Sequence, residues 1–557
     1  MSMQGKYIED DRLSALAEQS ARLCRKAGPV SAKATVSKLR AAMNDIDAAY
    51  GKVSERFGTA ASVPDACRWL LDNRYIAVRE AKCAIAAFLR EKSLRGSEAG
   101  VILLDMCRTL VDAGLGKVTE ERCRLFLDGY QSVSVLPRKE LYLFPAALRT
   151  ALIERLAGLC RELLSTNTPE KLTDGFAAVF TSLRLVGGLD MQCLLEAVDV
   201  SEKLLRSDPA GVYPEMDDLS RAYYRERLSR LAKANSMEEH YLAKHLIKLC
   251  SQAEREARHV GYYLFTKPLG KDEKAPGGAL YITANVLLTL FLTLLCGFLS
   301  RSVIAAVLLL LPISELTKNL LDYVILLCVP PRRMPRLELR NGVPDAAKTV
   351  CVISALLSDK EAGQKLAGRI EEFYLINRRC GKSLMFGILA DLPEAACAVT
   401  DNDAALIQSA VGAVNKLNER YGGGFYLFTR PRTEDLSRHR FCGFERKRGA
   451  VLSLAAMLCG KKSELSVCAG NAEALVGAKY IVTLDSDTNP TPDSLCELIG
   501  AITHPLNAPK LDRENGCVVS GHGIIHPRMN YELSSVGKTD FSRIFAGVGG
   551  TEPYSVL

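Results

Sequence analysis

The sequence predicts a multidomain protein of the α plus α/β class, with an all-α N-terminal domain, a two-helix membrane segment and an α/β domain. Three observations predict this arrangement. Residues 1–260 repeat apolar side chains at helical spacing, residues 279–300 carry no charged side chain, and from about residue 348 short β-type runs alternate with helical ones. We therefore expect domains at 1–260, 261–336 and 337–557.

The composition supports a folded chain and excludes several classes of protein. The 557 residues are 48% hydrophobic and 24% charged, which excludes a disordered or collagen-like chain. The net charge of +8 is too small for a nucleic-acid-binding protein, so we expect no nucleic-acid partner.

Eighteen cysteines are scattered without a C-x-x-C pair, which favours free thiols in a reducing compartment. The start, MSMQGKYIEDDRL, has neither a basic stretch nor an apolar core, so we expect no secretory signal.

Residues 1–260 are predicted to form successive amphipathic helices. Ala, Leu, Arg, Glu and Lys dominate, prolines are sparse, and apolar side chains recur every three or four residues. We interpret the charged side chains as a solvated outer face. Nothing in this region indicates a ligand.

Two apolar segments predict a membrane hairpin. Residues 279–300 are long enough to cross the roughly 30 Å of hydrocarbon in a bilayer. A second apolar run begins at residue 302, but Glu315, Lys318 and Asp322 follow at helical spacing on one face. Either this helix crosses with its polar stripe against protein or a polar cavity, or it crosses and bends near Pro312 into an interfacial segment. The sequence leaves both paths open.

Basic residues predict the orientation of the hairpin. Three lysines precede the first apolar segment and three arginines follow the second, whereas the connecting loop carries a single arginine. Because positive charge marks the cytoplasmic side, we expect both flanking domains in the cytoplasm. The flanking residues are Lys267, Lys271, Lys274, Arg332, Arg333 and Arg336.

The region from residue 348 predicts a sheet covered by helices. TVCVISALLS, SLMFGILAD and FYLFTRPR are predicted strands, AALIQSAVGAVNKLNERY is a predicted helix, and KYIVTLDSD is predicted to be a buried strand that ends in acidic residues. Such alternation is typical of a mostly parallel sheet. Ligands of these sheets bind beyond the carboxyl ends of the strands.

The sharpest chemical signal is the pair Asp485 and Asp487, an Asp-x-Asp arrangement at the end of the last predicted strand. Two carboxylates one residue apart can approach one divalent cation, and their hard oxygen ligands suit Mg²⁺ or Mn²⁺. A solvated turn is the alternative for an isolated Asp-x-Asp. The position after a buried strand favours a metal and diphosphate site.

Two further sets of residues lie upstream. Asp391 closes the predicted strand SLMFGILAD, where a carboxylate can accept hydrogen bonds from a base or a ribose; an ordinary strand-end or N-cap aspartate is the alternative. Arg446, Lys447 and Arg448 precede a predicted helix, and phosphate groups favour cations beside free helical N–H donors; a surface charge run is the alternative. Together with the acidic pair, these residues indicate a nucleoside diphosphate site.

Seven motifs, in their order along the chain, resemble the N-terminal portion of the cyclic β-1,2-glucan synthases. They are WLLDN (69–73), HVGYYL (259–264), LRNGVP (339–344), FERKRG (444–449), LDSDT (484–488), HPLN (504–507) and GHGIIHPR (521–528). The resemblance runs from about residue 66 to the end. It implies a GT-A-type, Rossmann-like glycosyltransferase domain in a multi-pass protein of the bacterial-type inner membrane.

The resemblance also implies an activity and its partners. These are a hexosyltransferase that inverts the anomeric carbon, UDP-glucose as the donor, a growing β-1,2-glucan as the acceptor, and the lipid bilayer. The general base and the acceptor-binding segment would follow Leu557, so we expect the chain as given to be incomplete at its C-terminus and to bind the donor without polymerising it. The oligomeric state stays open.

The same resemblance assigns roles to the candidate residues. Asp485 and Asp487 would hold the metal and the diphosphate, and Asp391 would lie at the uridine. The basic residues would lie near the phosphates; they are Arg446, Lys447 and Arg448.

Two other functions remain open. One is another processive polysaccharide synthase of the same fold, which would share the acidic pair but not WLLDN, HVGYYL or HPLN. The other is a non-catalytic, membrane-anchored scaffold; the presence of Asp391, ERKRG and the Asp-x-Asp pair together counts against it. The residues by themselves indicate neither the sugar nor the linkage.

Overall fold

The computed structural model describes residues 7–24, 26–57, 62–91, 93–97, 100–188, 191–267, 269, 278–328, 333–527 and 536–545. The chain divides into two compact units. The first comprises Met1–Gly211 and Arg227–Lys271, and the second comprises Val212–Glu226 and Asp272–Leu557. The division at 1–260, 261–336 and 337–557 stays a prediction. Of the residues used to predict the orientation, three lie outside the described residues: Lys271, Lys274 and Arg332.

The first unit consists mainly of helices that bury their apolar stripes against one another. Helix α7 is buried on several sides, because it packs against α2, α3, α4 and α8. The helices in chain order are α1 Asp10–Leu23, α2 Ala32–Phe57, α3 Asp65–Leu89, α4 Ile102–Ala113, α5 Glu120–Val133, α6 Arg138–Leu141, α7 Phe144–Ser165, α8 Thr173–Gly188, α9 Met191–Val198, α10 Val200–Arg206, α11 Asp218–Ala234 and α12 Glu239–Gln252. Of α11, residues 227–234 belong to this unit and residues 218–226 to the second.

Three short strands lie among these helices, so the prediction of an all-α domain is wrong in this detail. The strands β1 Lys26–Ser31, β2 Ser93–Ser97 and β3 Gly100–Val101 form an antiparallel sheet. Their sequences, KAGPVS, SLRGS and GV, contain the glycines and the proline that disfavour a helix and lack a helical apolar repeat.

The second unit contains the hairpin α13 Gly278–Ser300 and α14 Val303–Cys328. Both helices are long and apolar enough to cross a membrane. Helix α14 continues through Pro312 as a single helix. Polar side chains meet between the helices: Tyr281 Oη donates to Asp322 Oδ1 at 2.8 Å, and the hydroxyls of Thr289 and Thr317 lie 2.7 Å apart. The three residues of the predicted polar stripe have different surroundings. Asp322 contacts α13, whereas Glu315 and Lys318 are exposed.

The second unit also contains the predicted α/β region. Its strands are β4 Thr349–Leu356, β5 Leu384–Asp391, β6 Phe425–Thr429, β7 Thr433–Asp435, β8 Arg440–Cys442, β9 Ser466–Ala469, β10 Tyr480–Leu484, β11 Lys510–Asp512 and β12 Cys517–Ser520. Its helices are α15 Ala362–Ile376, α16 Asp403–Tyr421, α17 Arg446–Leu458, α18 Ser494–Thr503 and α19 Asp540–Phe545.

Five of these strands form one sheet in the order β10-β4-β5-β6-β9. The first four are parallel, and β9 runs antiparallel to β6. Successive residues of the central strands face opposite sides. Cys351 and Ile353 share a core with α15, α16 and α18, whereas Val350 and Val352 share a second core with α17. Helices therefore cover both faces, as the alternating pattern predicts.

Two details differ from the sequence expectation. Strand β10 is only partly buried, because it lies at the edge of the sheet with β4 as its neighbour. The expectation of free thiols fails at one pair, since Cys380 and Cys496 are joined in a disulfide with their Cα atoms 5.7 Å apart. The other cysteines of the described chain are free.

Candidate functional site

The carboxyl ends of the parallel strands bring the predicted site residues to one edge of the sheet. Leu484 of β10 pairs with Ile353 of β4, and Leu356 of β4 pairs with Asp391 of β5. Asp391 and Asp485 thus lie two strand spacings apart, about 10 Å across the sheet. The chain moves from β4 to β5 and β6 on one side and returns to β10 on the other. Such a change of direction leaves a crevice where ligands bind.

Asp485 follows β10 directly and faces solvent with 63% of its side chain exposed. Its Oδ1 accepts a hydrogen bond from Nζ of Lys447 at 2.5 Å. Lys447 lies in the first turn of α17, where free backbone N–H groups and the helix dipole favour anions. The structure therefore brings the acidic turn and the basic segment together.

Asp487 lies in the turn after Asp485, and its carboxylate is exposed. The backbone N–H of Thr488 donates to the carbonyl of Asp485 at 3.1 Å and closes this turn. Within the described ranges, no group of three or more His, Cys, Asp or Glu side chains is arranged to hold a metal. Two carboxylates nevertheless fit Mg²⁺, which commonly takes one or two protein carboxylates and completes its shell with water and substrate phosphates.

The remaining basic candidates point to solvent. Arg448 is 75% exposed and donates to the neighbouring Glu445 carboxylate at 2.8 Å, and Arg446 is exposed at the start of α17. The backbone here is unusual, because Glu445 and Arg446 have φ angles of +48° and +46°. Non-glycine residues in this left-handed region cost about 1–3 kcal/mol each and cluster at functional sites.

The carboxylate of Asp391 is bound by a residue that the sequence analysis missed. Ala390 of β5 pairs with Thr429 of β6, so the next residues, Asp391 and Arg430, are in register. Arg430 Nε donates to Oδ1 at 2.6 Å and Nη2 donates to Oδ2 at 2.8 Å. Only 3% of the Arg430 side chain is exposed. The aspartate is therefore half of a buried ion pair.

A second buried pair lies beside the first. Arg432 donates to both carboxylate oxygens of Asp403, at 2.6 and 2.8 Å, and to the carbonyls of Pro393 and Ala398. The hydrogen bonds from Arg432 hold the pKa of Asp403 well below its usual range. The segment TRPR carried a usable signal, because an arginine at the end of a buried strand requires a carboxylate partner.

Two motifs of the resemblance contain a buried histidine. In HPLN, the buried His504 accepts from the backbone N–H of Leu506 at 3.3 Å and lies 3.4 Å from the hydroxyl of Tyr224. In HVGYYL, the buried His259 lies 2.7 Å from Oδ2 of Asp208. Each of these histidines stabilises the packing of its own unit.

Comparison with known proteins shows a distant relationship. No protein-family model matches the chain. The sequence is 24% identical over 621 residues to the cyclic β-(1,2)-glucan synthase NdvB of Rhizobium meliloti (strain 1021), an alignment that covers 89% of this chain. The chain is a distant relative of the cyclic β-(1,2)-glucan synthases.

The resemblance to the cyclic β-1,2-glucan synthases is thereby confirmed. Because 89% of the chain is longer than either unit, the similarity to the synthase extends into both. The chain spans 22% of the length of the synthase, about a fifth. Together with helices α13 and α14, the similarity to the synthase indicates a membrane protein.

Proposed function

We propose that the chain acts as a membrane-bound glycosyltransferase of glucan synthesis, with a GT-A-type domain that inverts the anomeric carbon. The donor is UDP-glucose and the acceptor is a growing β-1,2-glucan. The observation that carries the proposal is the contact between Lys447 and Asp485 at the carboxyl edge of the sheet. The similarity to a cyclic β-(1,2)-glucan synthase supports the choice of sugar and linkage.

The sheet edge offers a position for each part of a nucleotide sugar. Asp485 and Asp487 would hold Mg²⁺ or Mn²⁺ beside the diphosphate. Lys447, with the exposed arginines of its segment, would bind the phosphates at the start of α17. The nucleoside would extend toward β5, whose end lies about 10 Å across the sheet.

The residues at this edge suit the departure of a nucleoside diphosphate. Breaking the glycosidic phosphate bond leaves negative charge on the diphosphate, and a bound divalent cation would neutralise part of it as a Lewis acid. The ammonium of Lys447 already lies against a carboxylate, so a phosphate oxygen would compete for the same hydrogen bond. Lys447 would then bind and orient the diphosphate while Asp485 is released for the cation.

The lipid bilayer is the second proposed partner. Helices α13 and α14 would cross the inner membrane, and the first unit and the α/β region of the second would lie in the cytoplasm. The basic residues that flank the hairpin support this orientation, and the described ones are Lys267, Arg333 and Arg336.

Calorimetric titration of the detergent-solubilised chain tests the proposal. We expect UDP-glucose to bind in the presence of Mn²⁺, and UDP-N-acetylglucosamine and GDP-mannose to bind at least tenfold more weakly. Asp485→Asn should abolish the Mn²⁺ dependence, whereas Asp512→Asn, a control at the end of β11, should preserve it. A folded chain that binds none of the three sugar nucleotides would contradict the proposal and favour the scaffold.

A further inference from the structure

One buried guanidinium links the end of β5 to the turn that precedes Lys447. Besides its two hydrogen bonds to Asp391, Arg430 donates from Nη1 to the carbonyl of Phe444 at 2.8 Å and from Nη2 to the carbonyl of Arg446 at 2.7 Å. Four hydrogen bonds thus engage a group that has five N–H donors. With 3% of its side chain exposed, Arg430 is placed to hold protein rather than ligand.

The two carbonyls that Arg430 binds belong to a strained turn. Glu445 and Arg446 have consecutive left-handed φ angles of +48° and +46°, a conformation that persists only when its surroundings enforce it. The carbonyl of Phe444 precedes this pair and the carbonyl of Arg446 ends it. Lys447 follows immediately, so its approach to Asp485 depends on the turn.

Gly449 packs closely against the same turn and against Arg430. A Cβ atom at this position would lie 2.0 Å from the carbonyl oxygen of Phe444 and 2.8 Å from Nη1 of Arg430. Only glycine allows the backbone to approach the guanidinium so closely. Arg430 and Gly449 together therefore determine where the turn lies.

We propose that Arg430 is a positioning residue for the donor site. It holds the turn 444–446 so that Lys447 reaches the diphosphate position beside Asp485, and Asp391 contributes to donor binding by holding Arg430. This inference rests on the proposed function and names a further part of the same site. In this role Asp391 acts through Arg430, from which both of its carboxylate oxygens accept hydrogen bonds.

The chain supplies a matched control. Arg432 and Asp403 form an equally buried pair with the same distances of 2.6 and 2.8 Å, also at the carboxyl end of β6. Its other hydrogen bonds go to Pro393 and Ala398 and not to the turn 444–446. Arg432→Lys therefore disturbs a buried ion pair of the same kind without releasing that turn.

The test compares Arg430→Lys with Arg432→Lys in the full detergent-solubilised chain. Lysine keeps the charge but lacks the planar fork that binds two carboxylate oxygens and two carbonyls at once. In Arg430→Lys we expect UDP-glucose affinity with Mn²⁺ to fall by about tenfold or more, the scale seen when residues that orient ligand-binding groups are changed. Hydrogen exchange of the amides 443–450 should become faster. In Arg432→Lys, we expect the affinity for UDP-glucose to stay within about twofold of the wild-type value.

Substitutions at two glycines test the inference if Arg430→Lys fails to fold. Gly449→Ala leaves all charges in place and displaces the turn, so it should repeat the loss of affinity and the faster exchange. Gly412→Ala is its control, since a Cβ on this glycine of α16 meets no atom within 4 Å. Unchanged affinity in both Arg430→Lys and Gly449→Ala would overturn the inference.

Failure of the inference and failure of the proposed function give different results. If the wild-type chain binds UDP-glucose and Arg430→Lys binds it equally well, the inference fails while the function stands. If the wild-type chain binds no sugar nucleotide, the function fails and with it the role of Arg430 at a donor site. A double-mutant cycle tests the link to Asp391. Asp391→Asn combined with Arg430→Lys should weaken binding no more than either change alone, and additive losses would overturn this part.

Discussion

Lys447 and Asp485 are 38 residues apart in the chain, and their side chains are joined by a hydrogen bond of 2.5 Å at the carboxyl edge of the sheet. The lysine comes from the first turn of α17 and the aspartate from the end of β10. A divalent cation would compete with the lysine for Asp485, and a phosphate would compete with the aspartate for Lys447. Removing the lysine should therefore change the affinities for the two ligands in opposite directions.

Removing the lysine tests this opposition. In Lys447→Met, we expect Mn²⁺ alone to bind about twofold to fivefold more tightly, since a partly exposed pair contributes up to about 1 kcal/mol. We expect UDP-glucose to bind about tenfold more weakly, because a charge-assisted hydrogen bond to phosphate is lost. Titrations of both ligands measure the two effects, with Lys462→Met as the exposed control. If the affinities for Mn²⁺ and UDP-glucose changed in the same direction, this would contradict a competition between Lys447 and the cation for Asp485.

Asp487 should be required for metal-dependent binding and dispensable for folding. Its carboxylate is exposed in the turn after β10, so Asp487→Ala removes a cation ligand and no core volume. We expect Mn²⁺-dependent binding of UDP-glucose to disappear while stability changes by no more than about 0.5 kcal/mol. Calorimetry and a thermal melt check the two parts. A variant that still binds the donor with Mn²⁺ would remove Asp487 from the site.

The pair Asp403 and Arg432 should make the second unit sensitive to acid. The pKa of Asp403 is lowered chiefly by its hydrogen bonds to Arg432, so the folded-state value lies below that of the unfolded chain. The pair therefore stabilises the fold above about pH 4 and loses this contribution as the pH falls through the folded-state pKa. Urea unfolding midpoints between pH 7 and pH 3 should decline most steeply below about pH 4.

A substitution isolates that contribution. Asp403→Asn leaves Arg432 buried without its charged partner, and we expect a loss of about 3–5 kcal/mol at pH 7. The decline below pH 4 should be correspondingly shallower than in the wild type. Asp401→Asn, two residues away and exposed, should reproduce the wild-type profile. Equal pH profiles in the wild type and Asp403→Asn would show that other groups govern the acid sensitivity.

The hairpin should depend on a close contact at Gly297. A Cβ atom there would lie 2.8 Å from Cβ of Ala306 on α14, so a larger side chain forces the two helices apart. We expect Gly297→Val to destabilise the hairpin by about 1–3 kcal/mol, the usual cost of overpacking. Unfolding in mixed detergent and SDS measures the change. The control is Gly278→Val, because an added Cβ at Gly278 meets no described atom within 4 Å. An equal loss of stability in this variant would contradict the role of the contact at Gly297.

Local periodicity was enough to predict several elements. The apolar runs of β4, β5 and β6, the helical repeats of α16 and α17, and the uncharged length of α13 each lie within a short stretch of sequence. Each pattern reflects which side of an element is buried, and the period of burial is set by the backbone geometry of that element. The candidate residues at the strand ends followed from the same reading, because chemistry in parallel sheets concentrates at their carboxyl edge.

The partners of those residues depended on the tertiary structure. The bonds from Arg430 to Asp391 and from Lys447 to Asp485 follow from strand order and register, which place residues 39 and 38 positions apart side by side. The disulfide between Cys380 and Cys496 and the exposed edge of β10 likewise arise from packing between distant segments. The sequence by itself determined which elements form and which strand ends carry charge. Only the folded sheet decided which charged side chains are in contact. The register between segments that are far apart in the sequence produces no local pattern along the chain.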